Sequence, residues 1–136
     1  MSKISKGDKL LFVEVKGDKI TTKEWVTVEY TGWDNEAFSP TQEIHLSNNT
    51  WFYDGDGAKT SNDNTIVNHF YHDSYKFLSV SEKDCYTAMI NHLSNQRAQL
   101  LQHAKDIEKD ADKLDTVVLA VRNVINESSL KFKVWF

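Results

Sequence analysis

Apolar and polar residues along the first eighty positions come in short alternating runs bounded by turn formers. KLLFVEVK over Lys9–Lys16 is rich in apolar and β-branched residues and predicts a strand. Gly17 and Asp18 follow as a two-residue hairpin turn. The return run at 24–30, EWVTVEY, alternates: Val26, Val28 and Tyr30 on one face, Trp25, Thr27 and Glu29 on the other. Such alternation marks a half-buried strand, and Gly32 is expected to end it. Runs at 42–46 and 50–53 flank the turn Ser47-Asn48-Asn49. Runs at 65–70 and 75–78 flank a turn at 71–74. The spacing predicts a small antiparallel sheet or barrel of about five or six strands.

The period then changes. From Gly57 to the last residue there is no further Gly and no Pro. Ser81 is placed as a helix N-cap, with Asp84 reaching back to it. Tyr86, Ile90, Leu93, Arg97, Leu100, Ala104, Ile107, Ala111, Leu114, Val118, Val121 and Ile125 recur at alternating steps of four and three. Arg97 is the one polar member of the series. The register runs unbroken through Lys109-Asp110-Ala111-Asp112, where a turn between two helices would fall. A single helix over 81–126 would be about 65–70 Å long. A stripe of that length needs a second chain to cover it, which predicts a homo-oligomer through residues 86–125. The competing reading is a helical hairpin, bent at 109–112 and packed on the sheet. The tail LKFKVWF, 130–136, alternates again and predicts a last strand after a turn at 126–129. The expected class is therefore α+β: an antiparallel β domain over 1–80, with strands between about 8 and 78, then a long coiled-coil-like helix and terminal strand over 81–136.

Composition narrows the partners. A net charge of −4 argues against general affinity for a nucleic-acid backbone, which needs clustered Lys and Arg. The single cysteine, Cys85, excludes an intramolecular disulfide and suits a reducing compartment. The absence of a long apolar run predicts no signal peptide and no membrane span, hence a soluble, cytoplasmic protein.

YDGDGAKT, at 53–60, hints at two site types and satisfies neither. A helix-flanked calcium loop beginning at Asp54 needs an oxygen ligand at its fifth position, where Ala58 stands, and Gly at its sixth, where Lys59 stands. A phosphate loop needs Gly directly before Lys-Thr, and Ala58 intervenes. Residues 54–64 read as a polar, Gly-rich connection between strands, or else as a mobile loop over a ligand site. HFYHD carries His69, His72 and Asp73, with His45 upstream, but lacks a zinc-ligand spacing, so no metal site is expected. Cys85 falls in the first helical turn without a catalytic partner in sequence, and reads as a small packed side chain. Arg97 within the apolar series is either a polar layer that fixes register or an anion fork, assisted in the second case by Gln96 and His103. Trp25, Trp33, Trp51, Tyr53, Phe70 and Tyr71 exceed what one sheet face needs. Either both faces are covered, one of them by helix, or an aromatic platform is exposed. No nucleophile, base and orienting group assemble from spacing, so no catalysis and no cofactor are expected.

KGDKLLFVEV, then WVTVEYTG, then a turn-rich middle and KFLSVSEKD leading into a helix, resembles a group of small phage accessory proteins. The likeness spans roughly residues 5 to 95. In that group a compact β-barrel precedes a helical region, a layout similar to the oligomeric sponges with which phages sequester cyclic-ADP-ribose-type immune signals. The resemblance implies a non-enzymatic, homo-oligomeric counter-defence protein that holds a nucleotide-derived ligand between subunits by aromatic stacking and polar groups. On chemistry, the candidates are Trp51, Tyr53, Tyr71, Arg97, Gln96 and His103. Two other readings stand beside it: an inhibitor that docks on a host defence protein through an aromatic surface, and a structural assembly protein.

Overall fold

The structure, a computed structural model, describes residues 4–34, 41–55, 58–71 and 73–135. Its elements are β1 (Lys9–Lys16), β2 (Lys19–Asp34), β3 (Thr41–Leu46), β4 (Trp51–Asp54), β5 (Thr65–Phe70), β6 (Ser74–Ser79) and α1 (Glu82–Trp135). The strands form one antiparallel sheet in the order β4-β3-β2-β1-β6-β5, coiled into a nearly closed barrel. Lys16 pairs with Lys19 across the predicted two-residue turn. Gly17 opens it at φ 61°, a backbone conformation that suits glycine at the first position of a hairpin turn.

β2 is the strand that bends the sheet. Lys19 to Thr27 pair with β1, while Val28 to Asp34 pair with β3. At the changeover Val28 opposes Leu46 and Tyr30 opposes His45, so Glu29 is an extra residue, a β-bulge. The bulge corrects two expectations. The strand runs through Gly32 to Asp34, and Tyr30 leaves the Val26/Val28 face for the outer one. Beyond the bulge, residues 5–8 take the place of β1: Gly7 N–H donates to the Val28 carbonyl at 2.8 Å, and Val28 N–H to the Asp8 carbonyl at 2.9 Å.

Two apolar clusters result. Leu10, Phe12, Val26, Val28, Ile44, Leu46, Phe52, Ile66 and Leu78 fill the barrel. Leu11, Val13, Val15, Val67, Tyr75 and Phe77 face outward and are covered by Cys85, Met89, Tyr86 and Leu93 from the start of α1. The helix begins as expected: the Ser81 hydroxyl accepts from Asp84 N–H at 3.2 Å and donates to the Asp84 carboxylate at 2.9 Å. Asn62 and Asn64 clamp this turn from the barrel side, donating to the Asp84 carbonyl and carboxylate at 3.0 Å each. Lys23 adds an exposed ion pair to Glu82 at 3.1 Å and lies over the Tyr86 ring.

The barrel seam, between β4 and β5, is closed by a side chain. The Asn68 Oδ1 accepts from Tyr53 N–H at 2.9 Å, and its Nδ2 donates to the Tyr53 carbonyl at 3.0 Å. A primary amide thus supplies the two bonds that a ladder residue would make.

α1 is one continuous helix of 54 residues, about 80 Å at the standard rise. The hairpin reading is not realised, and neither is the terminal strand: 130–135 are helical, while Phe136 lies outside the described residues. Without Gly or Pro in Asn-Glu-Ser-Ser, nothing at 126–129 stops the helix. The chain divides into two compact units, Met1–Ser94 and Asn95–Phe136. In the second unit every side chain from Arg97 to Ser128 is exposed. No helix among the described residues is long and apolar enough to cross a membrane.

Asn68→Ala should leave the Tyr53 main chain unpaired at a half-buried position and lower unfolding free energy by about 2–4 kcal/mol. Urea denaturation checks this; a loss below about 0.5 kcal/mol, the scale of an ordinary surface substitution, would show that the seam is held by other means.

Candidate functional site

The start of the helix covers the outer face over β1, β6 and β5, and among the described residues the outer face over β2, β3 and β4 stays open. Alternation along β3 and β4 decides what stands there. Ile44 and Phe52 point into the barrel, so His45, Trp51 and Tyr53 point out. His45 pairs directly with Trp51 on one side and with Tyr30 on the other. Three rings therefore lie in a row across three strands. His45 and Trp51 are stacked, with centroids 4.1 Å apart and planes 9° from parallel. Tyr30 meets His45 at 5.0 Å in a tilted contact. Trp51 is 51% exposed, Tyr30 53% and Tyr53 39%, so the row presents ring surface to solvent.

The row is fixed from below. Asn68 pins the Tyr53 main chain on the β5 side. Gly32 gives Tyr30 its place: a Cβ there would meet the Tyr30 hydroxyl at 2.5 Å and its ring at 3.0 Å. The His45 Nε2 is buried and has no hydrogen-bond partner among the described residues, with the Glu43 carboxylate 3.6 Å away. The arrangement offers stacking surface with acceptor and hydroxyl groups at its edge.

A second feature is concave. Glu14 follows Phe12 on the inner side of β1 and opens a cavity of about 520 Å³ that Lys16, Phe70, Tyr71, Asp73 and Lys76 also line. The Glu14 carboxylate stands 3.7 Å from the Lys16 ammonium and 3.9 Å from that of Lys76, and Thr21 donates its hydroxyl to it at 3.2 Å. Lys76 lies over the Phe70 ring at 5.2 Å. The two ammonium groups are matched by Glu14 and Asp73, so the cavity has no excess positive charge with which to draw in a bare anion. Tyr71 stands at its rim, 89% exposed, at φ 60°, a left-handed conformation unusual for an aromatic residue.

The polar stretch that includes YDGDGAKT lines a third cavity, of about 400 Å³, with Asp54, Lys59, Thr60, Asn62 and Asp63. Burial holds the Asp54 carboxyl above its ordinary value. Asn62 from the same loop is committed to the helix start, and the Thr60 hydroxyl to the carbonyls of Asn62 and Thr65, which fits a connection that braces the fold. Asp56 and Gly57 lie outside the described residues.

The sequence-predicted residues fall as follows. Trp51 and Tyr53 stand together on the aromatic face, and Tyr71 stands on the β5–β6 turn. Arg97, Gln96 and His103 belong to the helical unit, with Arg97 and His103 exposed and Gln96 half-buried. Tyr30 and His45 are the members that sequence reasoning missed. The alternation of β3 could have found His45, but only the bulge places Tyr30. Among the described residues no three His, Cys, Asp or Glu side chains converge as metal ligands. His69 instead stacks on Tyr75 at 4.2 Å, and His72 lies outside the described residues. Burial pushes the Cys85 thiol up to about 11, which keeps it protonated beside the Met89 sulfur. Comparison of the chain with protein-family models, with curated proteins and with solved structures finds no match in any of the three.

Gly32→Ala should leave the fold intact and swing the Tyr30 ring off the sheet. The His45 ring-proton shifts would move in the NMR spectrum; an unchanged spectrum would mean that Gly32 does not position Tyr30.

His92 supplies a pH signature of the helix–barrel contact. It sits edge-on to Tyr75 and Phe77 at 5.8 and 6.0 Å, and burial, then the His69 charge, push it below its ordinary 6.5. The unfolded chain takes up this proton as pH falls through about 6.5, before the folded protein does. Stability is thus full above that pH and declines below it, until the folded group also protonates. His92→Phe should flatten the dependence between pH 7 and pH 5 in urea titrations; a slope equal to the wild type's would contradict this assignment.

Proposed function

We propose that this chain is a non-enzymatic binding protein that works as a homo-oligomer and recognises its target through the Tyr30–His45–Trp51–Tyr53 face. The stacked His45–Trp51 pair, ordered yet half open to solvent, carries this reading. Rings already aligned in the free protein lose little conformational freedom when a planar group stacks on them. A nucleobase has such a planar group, which accords with a counter-defence protein of the phage-sponge kind that captures a nucleotide-derived signal. The exposed stripe on the helix supports the oligomer. A stripe of apolar residues over such a length marks an interaction surface.

One observation favours a second reading. The face is a sheet surface whose Tyr30, Trp51 and Tyr53 rings stand 39–53% exposed, whereas small-ligand sites are concave. Flat surfaces rich in Trp and Tyr serve as the anchors of protein interfaces. The alternative is therefore an inhibitor that docks on a host defence protein through the same residues.

Native mass spectrometry of the protein, before and after exposure to a nucleotide-rich cell extract, separates the two. The leading reading expects an oligomer that gains a small stoichiometric mass, with affinity reduced roughly 5- to 150-fold in Trp51→Ala, the range of one lost base–aromatic stack. An oligomer without an adduct would overturn ligand capture and favour docking on a protein. Arg97→Ala is the companion variant: unchanged affinity would remove Arg97 from the site.

A further inference from the structure

The exposed part of α1 has an internal order that says how a second copy would lie on it. In heptad notation the first core position is held by Arg97, Ala104, Ala111, Val118 and Ile125. The second is held by Leu100, Ile107, Leu114 and Val121. Over 97–114 the first row is therefore an arginine and two alanines, and the second row is leucine and isoleucine. All of these side chains are exposed within one chain.

We infer that the helix pairs with a second copy of itself in antiparallel orientation, a conclusion that rests on the homo-oligomer proposed above. In a parallel, in-register pair each core position meets its own copy. Ala104 would face Ala104 and Ala111 would face Ala111, between thick layers of Leu100, Ile107 and Leu114. Helix axes 8–10 Å apart cannot follow such steps, so the thin layers would be left underpacked. Parallel pairing would also place the Arg97 guanidinium of each copy against the other inside the seam, two like charges withdrawn from water.

An antiparallel pair removes both faults at once. There the first core position always meets the second, whatever the register. Every alanine then faces a leucine, isoleucine or valine, and the layers keep even thickness. If the exposed segment pairs over its whole length, Ala104 meets Val121 of the second copy and Ala111 meets Leu114 of the second copy. Arg97 then lies at the end of the pair beside Ser128 of the second copy, with its charge at the wet end of the seam.

The test uses nitroxide labels on Asn95→Cys and, separately, Asn123→Cys, both exposed and both away from the two core rows. Native Cys85 is buried and resists labelling. Analytical ultracentrifugation comes first, then dipolar distance measurement between equivalent labels in the assembly. The sites are 28 residues apart (95 to 123). In any antiparallel register the two axial offsets add to at least about 84 Å, so one distance must exceed about 42 Å. In a parallel pair both distances are equal and stay near the width of two helices, about 20 Å. One long distance is the expected result. Two equal short distances in an oligomer would overturn the orientation and leave the homo-oligomer standing. A monomer at all concentrations would overturn the homo-oligomer, and this inference with it.

Discussion

β1 is buried on both faces, and the remainder of the molecule is arranged around that constraint. Leu10 and Phe12 point into the barrel, while Leu11, Val13 and Val15 point out of it. Water must be kept from both sides of one strand, and each large apolar side chain so buried contributes roughly 1.5–3 kcal/mol. The inner side is satisfied when β2 bends at Glu29 and the sheet coils. The outer side can be satisfied only by another element. The first turns of α1, through Cys85 and Met89, provide it, held in place by Ser81, Asn62 and Asn64. The barrel and the start of the helix are thus one cooperative unit.

That solution leaves two surfaces without cover. One is the outer face of β2, β3 and β4, where the same alternation that buries Ile44 and Phe52 turns His45, Trp51 and Tyr53 to solvent. The other is the segment from Arg97 to Ser128, whose leucines, isoleucines and valines are all exposed. Single exposed apolar residues are ordinary on protein surfaces, but rows of them in fixed register are not. A binding protein that both assembles and recognises needs two such surfaces.

Much of this was readable from pattern. Short apolar runs bounded by turn formers located five of the strands closely, and the Ser81 cap and the apolar series located the helix. What failed to read has physical causes. A bulge leaves no mark on the sequence, since Glu29 is an unremarkable strand residue. Its effect is to reverse the face of Tyr30, so the aromatic row was only half visible as Trp51 and Tyr53. Asn68 closes the barrel through contacts fifteen residues away in sequence, which no local pattern encodes. LKFKVWF alternates as a strand would, but alternation over seven residues competes poorly with a helix that meets no breaker before it. The unbroken register favoured one helix over a hairpin without deciding between them, and the continuous helix Glu82–Trp135 decides it.

The central claim is that the exposed part of α1 is ordered by another copy of the chain. A helix gains most of its stability from packing, and a solvated segment of this length has little of its own. Amide hydrogen exchange of 97–128, followed by mass spectrometry across a hundredfold range of protein concentration, tests this most directly. The account predicts protection that rises with concentration while that of β1 stays constant. Protection of 97–128 that is the same at every concentration, or exchange at unfolded rates throughout, would contradict it.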